Sequence, residues 1–434
     1  MEISFLGGAR EVGRSAYLLE GSKKVLLDCG IKLGETEEYP LIDRRTAKGL
    51  DEVILSHAHL DHSGFLAALY SMGYGGKVFL TKPTRDLIQV LLADYLRINK
   101  EESAYAMKDV EKLLKHSEIE EYETPFKQNL FYNAGHILGA AMPLVKMNGH
   151  KILYTGDLNT RSSRLLEGAT TGIECDTLVI ESTYGGRKDR HISSKEAGQA
   201  LVDSIKHTFA EGGKVLIPTF AIGRGQEILF TLESYLRSGG LEHAPVYLDG
   251  MINKVLRIYR HNAIYLKKEI QHRILTSDED PFKSKHFLVP TTKDRHDVLG
   301  EEKAIILATS GMLNGGPVLL YLEALAPEKH NKIIIVGFQA EGSRGRKLLE
   351  GKKEIELEEG KIVEVKMRVE EARFTAHSDS QELVQFAKAL KGLKQVFVVH
   401  GEEEKPFELA EQIEDAWKGR VEAIVPKNGE SIRL

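Results

Sequence analysis

The segment HAHLDH holds the densest group of residues that could carry out chemistry, namely His57, His59, Asp61 and His62. It directly follows the apolar run EVILS, which predicts a β-strand. In extended backbone, residues two positions apart point to the same side, so His57 and His59 can bind one ion. The chain then turns, and Asp61 and His62 can face a second ion. Because imidazole and carboxylate groups suit zinc, this segment predicts metal binding rather than a polar loop with chance histidines.

Three further candidate ligands follow predicted strands: His136 in NAGHILGA, Asp157 in YTGDL and His400 in VVHGE. Taken singly, a histidine or aspartate at a strand end is more often a capping or core residue. The carboxyl ends of strands in α/β sheets meet at a ligand crevice, so together the three residues can complete two ion sites. Two ions that share a carboxylate suit phosphoester hydrolysis, because they lower the pKa of a shared water and hold the attacking and leaving oxygens. The residues alone therefore predict a dinuclear hydrolase and leave its substrate open.

The elements that must position these residues alternate between short apolar runs and amphipathic helical patterns. Strands are predicted at ISFLG, KVLLD, EVILSH, KVFLT, NLFYNAG, KILYTGD, TLVIEST, KVLIP, AIILATSG, KIIIVGF, VEVKMR, QVFVVHG and VEAIVP. Helices are predicted at HSGFLAALYSMG, TRDLIQVLLADYLRIN, residues 193–209 and GRGQEILFTLESYLRSGG. This alternation predicts an α/β fold. Two polar stretches, which start at Tyr184 and Arg368, are candidate seams between domains.

Composition excludes several classes of protein. At roughly 150 residues per domain, 434 residues predict about three units. The net charge of −5 argues against a uniformly basic coat for nucleic acid. The two cysteines, Cys29 and Cys175, cannot make a disulfide scaffold. No apolar run is long enough for a membrane span, and the first residues do not resemble a signal peptide. A cytoplasmic protein is expected.

HAHLDH, with the downstream GH, GD and HG pairs, resembles the metallo-β-lactamase superfamily. Beyond Asp157 the chain is similar to the β-CASP nucleases. These include RNase J and the nuclease subunit of the cleavage and polyadenylation specificity factor, and the short archaeal and bacterial proteins of the latter type are the most similar. The resemblance implies an α/β, four-layer αββα metallo-β-lactamase fold with an inserted α/β β-CASP domain. It implies residues 1–185 and 371–434 for the first domain and 186–370 for the insertion.

The resemblance also implies a role for each site residue. One zinc ion would take His57, His59 and His136, and the other would take Asp61, His62 and His400. Asp157 would bridge the two ions, and Asp28 in LLDCG would support the ligand loop. Asp61, Glu181 in ESTYG and His377 in FTAHSD would be catalytic. RNA-directed members of the family carry His at the position of His400, whereas DNA-repair members typically carry Val, which favours RNA.

In the implied mechanism, His377 protonates the leaving 3′ oxygen and Glu181 holds His377 by a hydrogen bond. The products would carry a 5′-phosphate and a 3′-hydroxyl. In the alternative reading, His377 caps a helix and Glu181 is a surface acid at a strand end.

Two glycine-containing turns are candidates for phosphate binding, because glycine lets backbone N–H groups approach an anion. Ser310 and Gly311 lie in ATSGMLNGGP, and Ser343 and Arg344 lie in FQAEGSRGRKLLEG. The alternative is that both are ordinary tight turns.

These features together predict a zinc-dependent ribonuclease, an endonuclease or a 5′-to-3′ exonuclease or both, acting in RNA processing, maturation or decay. Two Zn²⁺ ions per chain are expected, with Mn²⁺ as an alternative that uses the same ligands. The expected partners are single-stranded RNA, a second copy in a homodimer and an RNA-processing or decay complex, but no membrane. A DNA-directed nuclease, a thioester or lactone hydrolase of the same fold and a non-catalytic scaffold subunit are the alternatives.

Overall fold

The structure, a computed structural model, describes residues 1–34, 36–99, 103–277 and 279–434. The chain divides into two compact units. The first unit contains Met1–Ser162, Leu166–Arg190 and Ala376–Leu434, and the second contains Ser163–Leu165 and His191–Thr375. The predicted boundaries of the inserted domain, at residues 185 and 370, remain predictions.

The first unit contains two mixed β-sheets. The seven-stranded sheet consists, in spatial order, of β21 (Ser431–Arg433), β1 (Glu2–Gly7), β2 (Ala16–Glu20), β3 (Lys24–Leu27), β4 (Glu52–Ile54), β5 (Lys77–Leu80) and β6 (Ser117–Ile119). The six-stranded sheet consists of β20 (Glu422–Ile424), β19 (Gln395–Val399), β10 (Thr177–Glu181), β9 (His150–Tyr154), β8 (Ala141–Met147) and β7 (Asn129–Asn133). From β3 to β6 and from β9 to β20, neighbouring strands are parallel.

The two sheets face each other across one apolar core. Phe5 of β1 packs on Phe397 of β19 with ring centroids 5.2 Å apart, and Tyr17 of β2 packs on Tyr154 of β9 at the same distance. Helices cover the outer faces; among them α5 contacts β5 and α14 contacts β19. The helices of this unit are α1 (Arg44–Gly49), α2 (Leu60–Ser63), α3 (Leu66–Ser71), α4 (Lys82–Ile98), α5 (Met107–His116), α13 (Ser380–Ala389) and α14 (Lys405–Trp417). The predicted four-layer α/β arrangement is confirmed.

The second unit is built on a parallel six-stranded sheet. Its strands are, in spatial order, β13 (Phe287–Leu288), β12 (Val246–Asp249), β14 (Ile305–Ala308), β11 (Val215–Pro218), β15 (Lys332–Val336) and β18 (Arg368–Ala372). A separate hairpin joins β16 (Glu354–Glu356) and β17 (Ile362–Glu364). Its helices are α6 (Ser194–Ala210), α7 (Arg224–Arg237), α8 (Ile252–His261), α9 (Lys268–Leu275), α10 (Arg295–Gly300), α11 (Val318–Leu325) and α12 (Arg344–Leu349). The central strands β11, β14 and β15 are wholly buried, as in parallel sheets that are covered on both faces.

Two predicted elements differ from the structure. The segment HSGFLAALYSMG was predicted as one helix, but α2 ends at Ser63 and α3 begins at Leu66. The break arises because the Phe65 N–H donates to Cys29 O instead of continuing the helix. The segment VEVKMR was predicted as one strand, but it is divided between β17 and the start of β18. Within the described ranges, no helix combines the length and the apolar character that crossing a membrane requires.

Candidate metal centre

The loops that follow β4, β7, β9 and β19 bring the sequence-predicted ligands together in the first unit. Each strand ends a few residues before its ligand, so the sheet core fixes where each loop begins. Two of the groups that the structure forms consist of predicted ligands alone, and in each of them one atom per residue lies within 4.8 Å of the others. The clusters are His57, His59, His136 and Asp157, and Asp61, His62 and His400.

The first cluster is formed by three imidazole nitrogens and one carboxylate oxygen. His59 Nδ1 lies 3.2 Å from His57 Nε2 and 3.1 Å from His136 Nε2. Asp157 Oδ2 lies 3.4 Å from the Nε2 atoms of both His57 and His136. Four nitrogen and oxygen atoms at this spacing form a donor set of the kind that holds a divalent ion.

Asp157, a member of the first cluster, also lies beside the second. Asp157 Oδ1 lies 3.2 Å from His62 Nε2 and 3.3 Å from His400 Nδ1. The other ring nitrogen of His400, Nε2, lies 3.3 Å from Asp61 Oδ2. The two oxygens of one buried carboxylate therefore face two different sets of ligands.

Buried ligand atoms that lack a hydrogen-bond partner indicate whether the residues fit a metal. His62 Nε2, Asp157 Oδ1 and His400 Nε2 are buried and make no hydrogen bond of acceptable geometry to the part of the chain that the structure describes. Buried polar atoms almost always have partners, and a bound cation would satisfy all three atoms at once. The donor set, imidazole and carboxylate without thiolate, suits divalent zinc or manganese.

The electrostatics of the first cluster keep its histidines neutral. Burial lowers the pKa of His57 and His136, and burial together with the neighbouring His57 lowers the pKa of His59 to about 3. Neutral imidazole is the form that binds metal.

In the second cluster, the neighbouring charges outweigh burial in determining the direction of the pKa shifts. Burial would lower the pKa of His62, but the carboxylates of Asp157 and Asp61 outweigh it and raise that pKa well above its ordinary value. Burial would raise the pKa of Asp61, but His62 and His400 lower it. The carboxylates of this cluster are therefore ionised at neutral pH.

Asp28 lies directly behind the second cluster and is fully buried. Its Oδ1 accepts from the Ser56 N–H at 2.7 Å, and its Oδ2 accepts from Ser56 Oγ at 2.6 Å and Tyr154 Oη at 2.8 Å. His62 Nδ1 lies 2.7 Å from the same Oδ2, which leaves His62 Nε2 directed into the cluster. Sequence reasoning missed Ser56 and Tyr154, although both lie within three residues of a predicted ligand.

Two glycines permit the close approach of the ligand loops. A Cβ atom at Gly30 would lie 1.8 Å from Asp61 O, and a Cβ atom at Gly156 would lie 2.7 Å from Ser56 Oγ. Gly156 also has φ = +52°, in the left-handed region that favours glycine. Gly30 is the glycine of LLDCG and Gly156 is the glycine of YTGDL, so the close approach of the loops explains why both motifs contain glycine.

His377 and Glu181 form a pair beside the first cluster. His377 Nδ1 lies 2.9 Å from Glu181 Oε1 and 3.1 Å from Oε2, and the ring centroids of His377 and His136 are 4.6 Å apart. The fully buried Glu181 also accepts from the Leu158 N–H at 2.7 Å, next to Asp157. The structure thus brings together the catalytic and metal-binding residues that the sequence predicted.

The four predicted phosphate-binding residues lie in the second unit, in two loops that contact each other. The Gln339 side chain donates to Gly311 O at 3.1 Å, and the Ser310 hydroxyl accepts from the Asn314 N–H at 3.0 Å. Ser343 caps α12 by accepting from the Arg346 N–H. Arg344 donates to the carbonyl oxygens of Glu356 and Leu313. These contacts are internal, and phosphate binding stays a prediction.

Comparison with known proteins finds three domain families along the chain. A metallo-beta-lactamase superfamily domain matches residues 18–183, a Beta-Casp domain matches residues 225–348, and a Zn-dependent metallo-hydrolase RNA specificity domain matches residues 362–426.

Among similar proteins, Transcription termination factor FttA of Methanocaldococcus jannaschii is 40% identical over 100% of this chain and 72% of its own length. The protein of the same name from Methanothermobacter thermautotrophicus is 39% identical over 100% of this chain and 71% of its own length. A crystal structure of a protein of unknown function from Enterococcus faecalis V583 aligns with a TM-score of 0.62 over 100% of this chain and 99% of that one. At 14% identity, that alignment shows the fold alone.

Proposed function

Because the chain belongs to the β-CASP family of metallo-β-lactamase-fold ribonucleases, we propose that it is a dinuclear zinc enzyme that cleaves single-stranded RNA. Divalent-metal binding and hydrolytic activity on RNA follow from that membership. The number of ions, their identity and the residue roles are our proposals. The observation that carries them is that Asp157 faces both clusters while the His377–Glu181 pair lies beside the first.

The two clusters would hold two ions, with Asp157 as the shared ligand and Asp28 as the support for His62. When bound, a pair of divalent ions lowers the pKa of a water and neutralises charge on the phosphate oxygens. The first cluster keeps its imidazoles neutral and the second keeps its carboxylates ionised, which are the forms that bind metal. His62, whose pKa is raised, would have to release its proton when an ion binds.

The proton transfer is assigned to His377. Its Nδ1 faces Glu181, so that the opposite ring nitrogen, Nε2, is the atom that would give a proton to the leaving 3′ oxygen. The buried carboxylate of Glu181 would hold the tautomer and stabilise the imidazolium form. The products would then carry a 5′-phosphate and a 3′-hydroxyl.

The proposed activity is tested by incubating the purified protein with end-labelled single-stranded RNA, single-stranded DNA of the same sequence and a chromogenic thioester. We expect cleavage of RNA that a chelator abolishes and added Zn²⁺ or Mn²⁺ restores. Preferential cleavage of DNA, or thioester hydrolysis without RNA cleavage, would support one of the alternatives instead.

The His377→Ala variant tests the assigned acid. Loss of a general acid typically costs about 10²- to 10⁴-fold in rate, while the metal ligands stay intact. We expect cleavage to fall by that factor and the metal content, measured by plasma mass spectrometry, to stay at the wild-type value. The exposed His261, which lies outside both clusters, offers a matched control, and His261→Ala should cleave normally. Full activity in His377→Ala would refute the assignment.

The loops of Ser310, Gly311, Ser343 and Arg344 are proposed to bind substrate phosphates. Their mutual contact supports the proposal, because it places several backbone N–H groups of the two turns in one region of the second unit. Arg344→Ala should weaken RNA binding and reduce its dependence on salt. An unchanged salt slope would count against this role.

A second proposal concerns the biological role. The relatives that match the whole chain are named transcription termination factors, which favours cleavage of nascent RNA over general RNA decay. Adding the protein to a paused elongation complex with labelled RNA should release shortened transcripts, and His377→Ala should release none.

Circular RNA distinguishes an endonuclease, which cleaves it, from a 5′-to-3′ exonuclease, which does not. A homodimer, a larger RNA-processing complex and a cytoplasmic location are also proposed, and size-exclusion chromatography with light scattering tests the dimer.

A further inference from the structure

The loop Gly8–Ser15, which joins β1 to β2 and is called here the N-terminal loop, contacts the backbone of two ligands of the second cluster. The His400 N–H donates to Gly8 O at 2.7 Å, and the Ser15 N–H donates to Asp61 O at 2.9 Å. Asp61 and His400 are the two residues whose side-chain atoms lie 3.3 Å apart in that cluster. One loop therefore sets the backbone position of both ligands, one from each of its ends.

The backbone of the N-terminal loop adopts φ values that its residues rarely take. Arg10 and Arg14 have φ values of +59° and +41°, in the left-handed region that arginine rarely occupies. Gly13 has φ = +108°, and a Cβ atom there would lie 2.8 Å from Lys32 Cβ. A loop in such a conformation persists only where surrounding contacts hold it.

Glu11 supplies these contacts from inside the loop. The carboxylate is 9% exposed, and four donors from three segments of the chain converge on it. Its Oε1 accepts from Arg14 Nε at 2.7 Å, from Asn428 Nδ2 at 2.6 Å and, more weakly, from the Gly8 N–H at 3.4 Å. Its Oε2 accepts from Lys32 Nζ at 3.0 Å. The carboxylate thus joins both ends of the loop to each other and to the rest of the first unit.

We propose that Glu11 is a positioning residue of the metal centre, which acts through the N-terminal loop to hold Asp61 and His400 and so sets the affinity of the second cluster for its ion. The inference rests on the proposed dinuclear centre. Among the described residues, Glu11 forms no hydrogen bond to either cluster. Its influence should therefore fall on one ion only, since the backbones of His57, His59 and His136 form no hydrogen bond to the loop in the described part of the chain.

The Glu11→Gln variant tests the inference, because glutamine keeps the shape of the side chain and removes its charge. After desalting, we expect two equivalents of Zn²⁺ on the wild-type chain and one on the variant. In a competition titration with a chelator, the Kd of the weaker ion should rise about 10- to 100-fold, as is typical when a supporting partner of a metal ligand is lost.

Glu38→Gln is the matched control. Glu38 pairs with the same two cations, with Arg14 at 3.0 Å and Lys32 at 3.3 Å, but none of the contacts recorded for its side chain reaches Gly8 or Asn428. It should retain both ions at wild-type affinity. If Glu11→Gln does not fold, Asn428→Ala removes one donor to Glu11 and the acceptor of the Ala9 N–H, and it should weaken the same ion.

Three outcomes would overturn the inference. The first is a folded Glu11→Gln or Asn428→Ala chain that binds both ions as tightly as the wild type. The second is equal weakening of both ions with a lower unfolding midpoint in chelator, which would indicate a general structural role. The third is a wild-type chain that binds fewer than two ions, which would refute the dinuclear centre as well.

Discussion

The sequence predicted the metal ligands, and the structure shows which atom of each predicted ligand faces the candidate centre. His57, His62 and His136 direct Nε2 to Asp157, whereas His59 takes part through Nδ1. His400 uses both ring nitrogens, with Nδ1 near Asp157 and Nε2 near Asp61. The orientation of each ring depends on the partner of its other nitrogen. For His62 that partner is Asp28, which lies 34 positions away in the sequence.

The variant Asp28→Asn tests that support at the scale of one residue. Asp28 has φ = +57°, which asparagine tolerates well, so the substitution changes charge and hydrogen bonding rather than the backbone. The amide N–H group of the new asparagine would face the donors that now form hydrogen bonds to the Asp28 carboxylate. Metal affinity should fall roughly 10- to 100-fold.

A chelator competition titration measures the effect of Asp28→Asn. Asp51→Asn is the control, since Asp51 is exposed and accepts only from the Lys24 N–H among the contacts recorded for its side chain. Wild-type affinity in Asp28→Asn would show that His62 needs no support from this carboxylate.

At the scale of the element, β15 begins with a buried cation. Lys332 is 6% exposed, and its Nζ donates to Glu370 Oε2 of β18 at 2.7 Å and to Ser204 Oγ of α6 at 2.8 Å. The contacts join the edge strand β18 and α6 to the sheet of the second unit. Apolar periodicity alone could not have predicted them, because it does not show which polar side chains pair.

Glu370→Gln should destabilise the second unit, because it leaves Lys332 buried without a counter-charge. Breaking a fully buried pair costs about 3–5 kcal/mol, and we expect roughly 1–2 kcal/mol here because Glu370 is 41% exposed. Urea unfolding measures the loss. Glu364→Gln, which breaks the exposed pair with Lys366, should leave the free energy of unfolding at the wild-type value.

The same pair predicts a dependence on pH. Burial would raise the pKa of Glu370, but the hydrogen bond from Lys332 lowers it overall. A lowered pKa in the folded state stabilises the fold fully above the ordinary pKa of glutamate, and the stabilisation disappears as the pH falls through the lowered value. The difference in the free energy of unfolding between wild type and Glu370→Gln should therefore shrink below about pH 4. A difference that is constant down to pH 3 would contradict this.

At the scale of the whole molecule, all the predicted metal ligands belong to the first unit and none of them to the second. A ligand present at 1,000 times its Kd adds about 4 kcal/mol to the stability of the form that binds it. Removal of metal should therefore destabilise the first unit selectively. The single tryptophan, Trp417, lies in α14 of that unit and reports on it alone.

Thermal unfolding followed by tryptophan fluorescence and by far-ultraviolet circular dichroism tests this expectation. Chelator should lower the fluorescence midpoint by several degrees and split the dichroism curve into two steps. The Glu370→Gln variant should lower the step that fluorescence does not detect. If chelator shifts both signals together, the two units unfold as one.

Much of the fold and the site could be predicted because the signals are local. Short continuous apolar runs indicated β4, β9 and β19, and the predicted ligands are polar residues just after them. Other elements could not be predicted from local signals. The segments that form β2 and β8 show no pattern that distinguishes them from their surroundings. The break between α2 and α3 arises only because the Phe65 N–H donates to Cys29 O.

The sequence alone determined which residues are candidate ligands, because HAHLDH and the strand-end His and Asp residues are short-range patterns. The resemblance implied that Asp157 faces both clusters and that Glu181 pairs with His377, 196 positions away, but no local pattern of residues predicts either arrangement. Only the tertiary structure revealed that Asn428 donates a hydrogen bond to Glu11, 417 positions away. Contacts at such separations arise from the packing of whole sheets, and no local pattern of residues records which side chains that packing brings together.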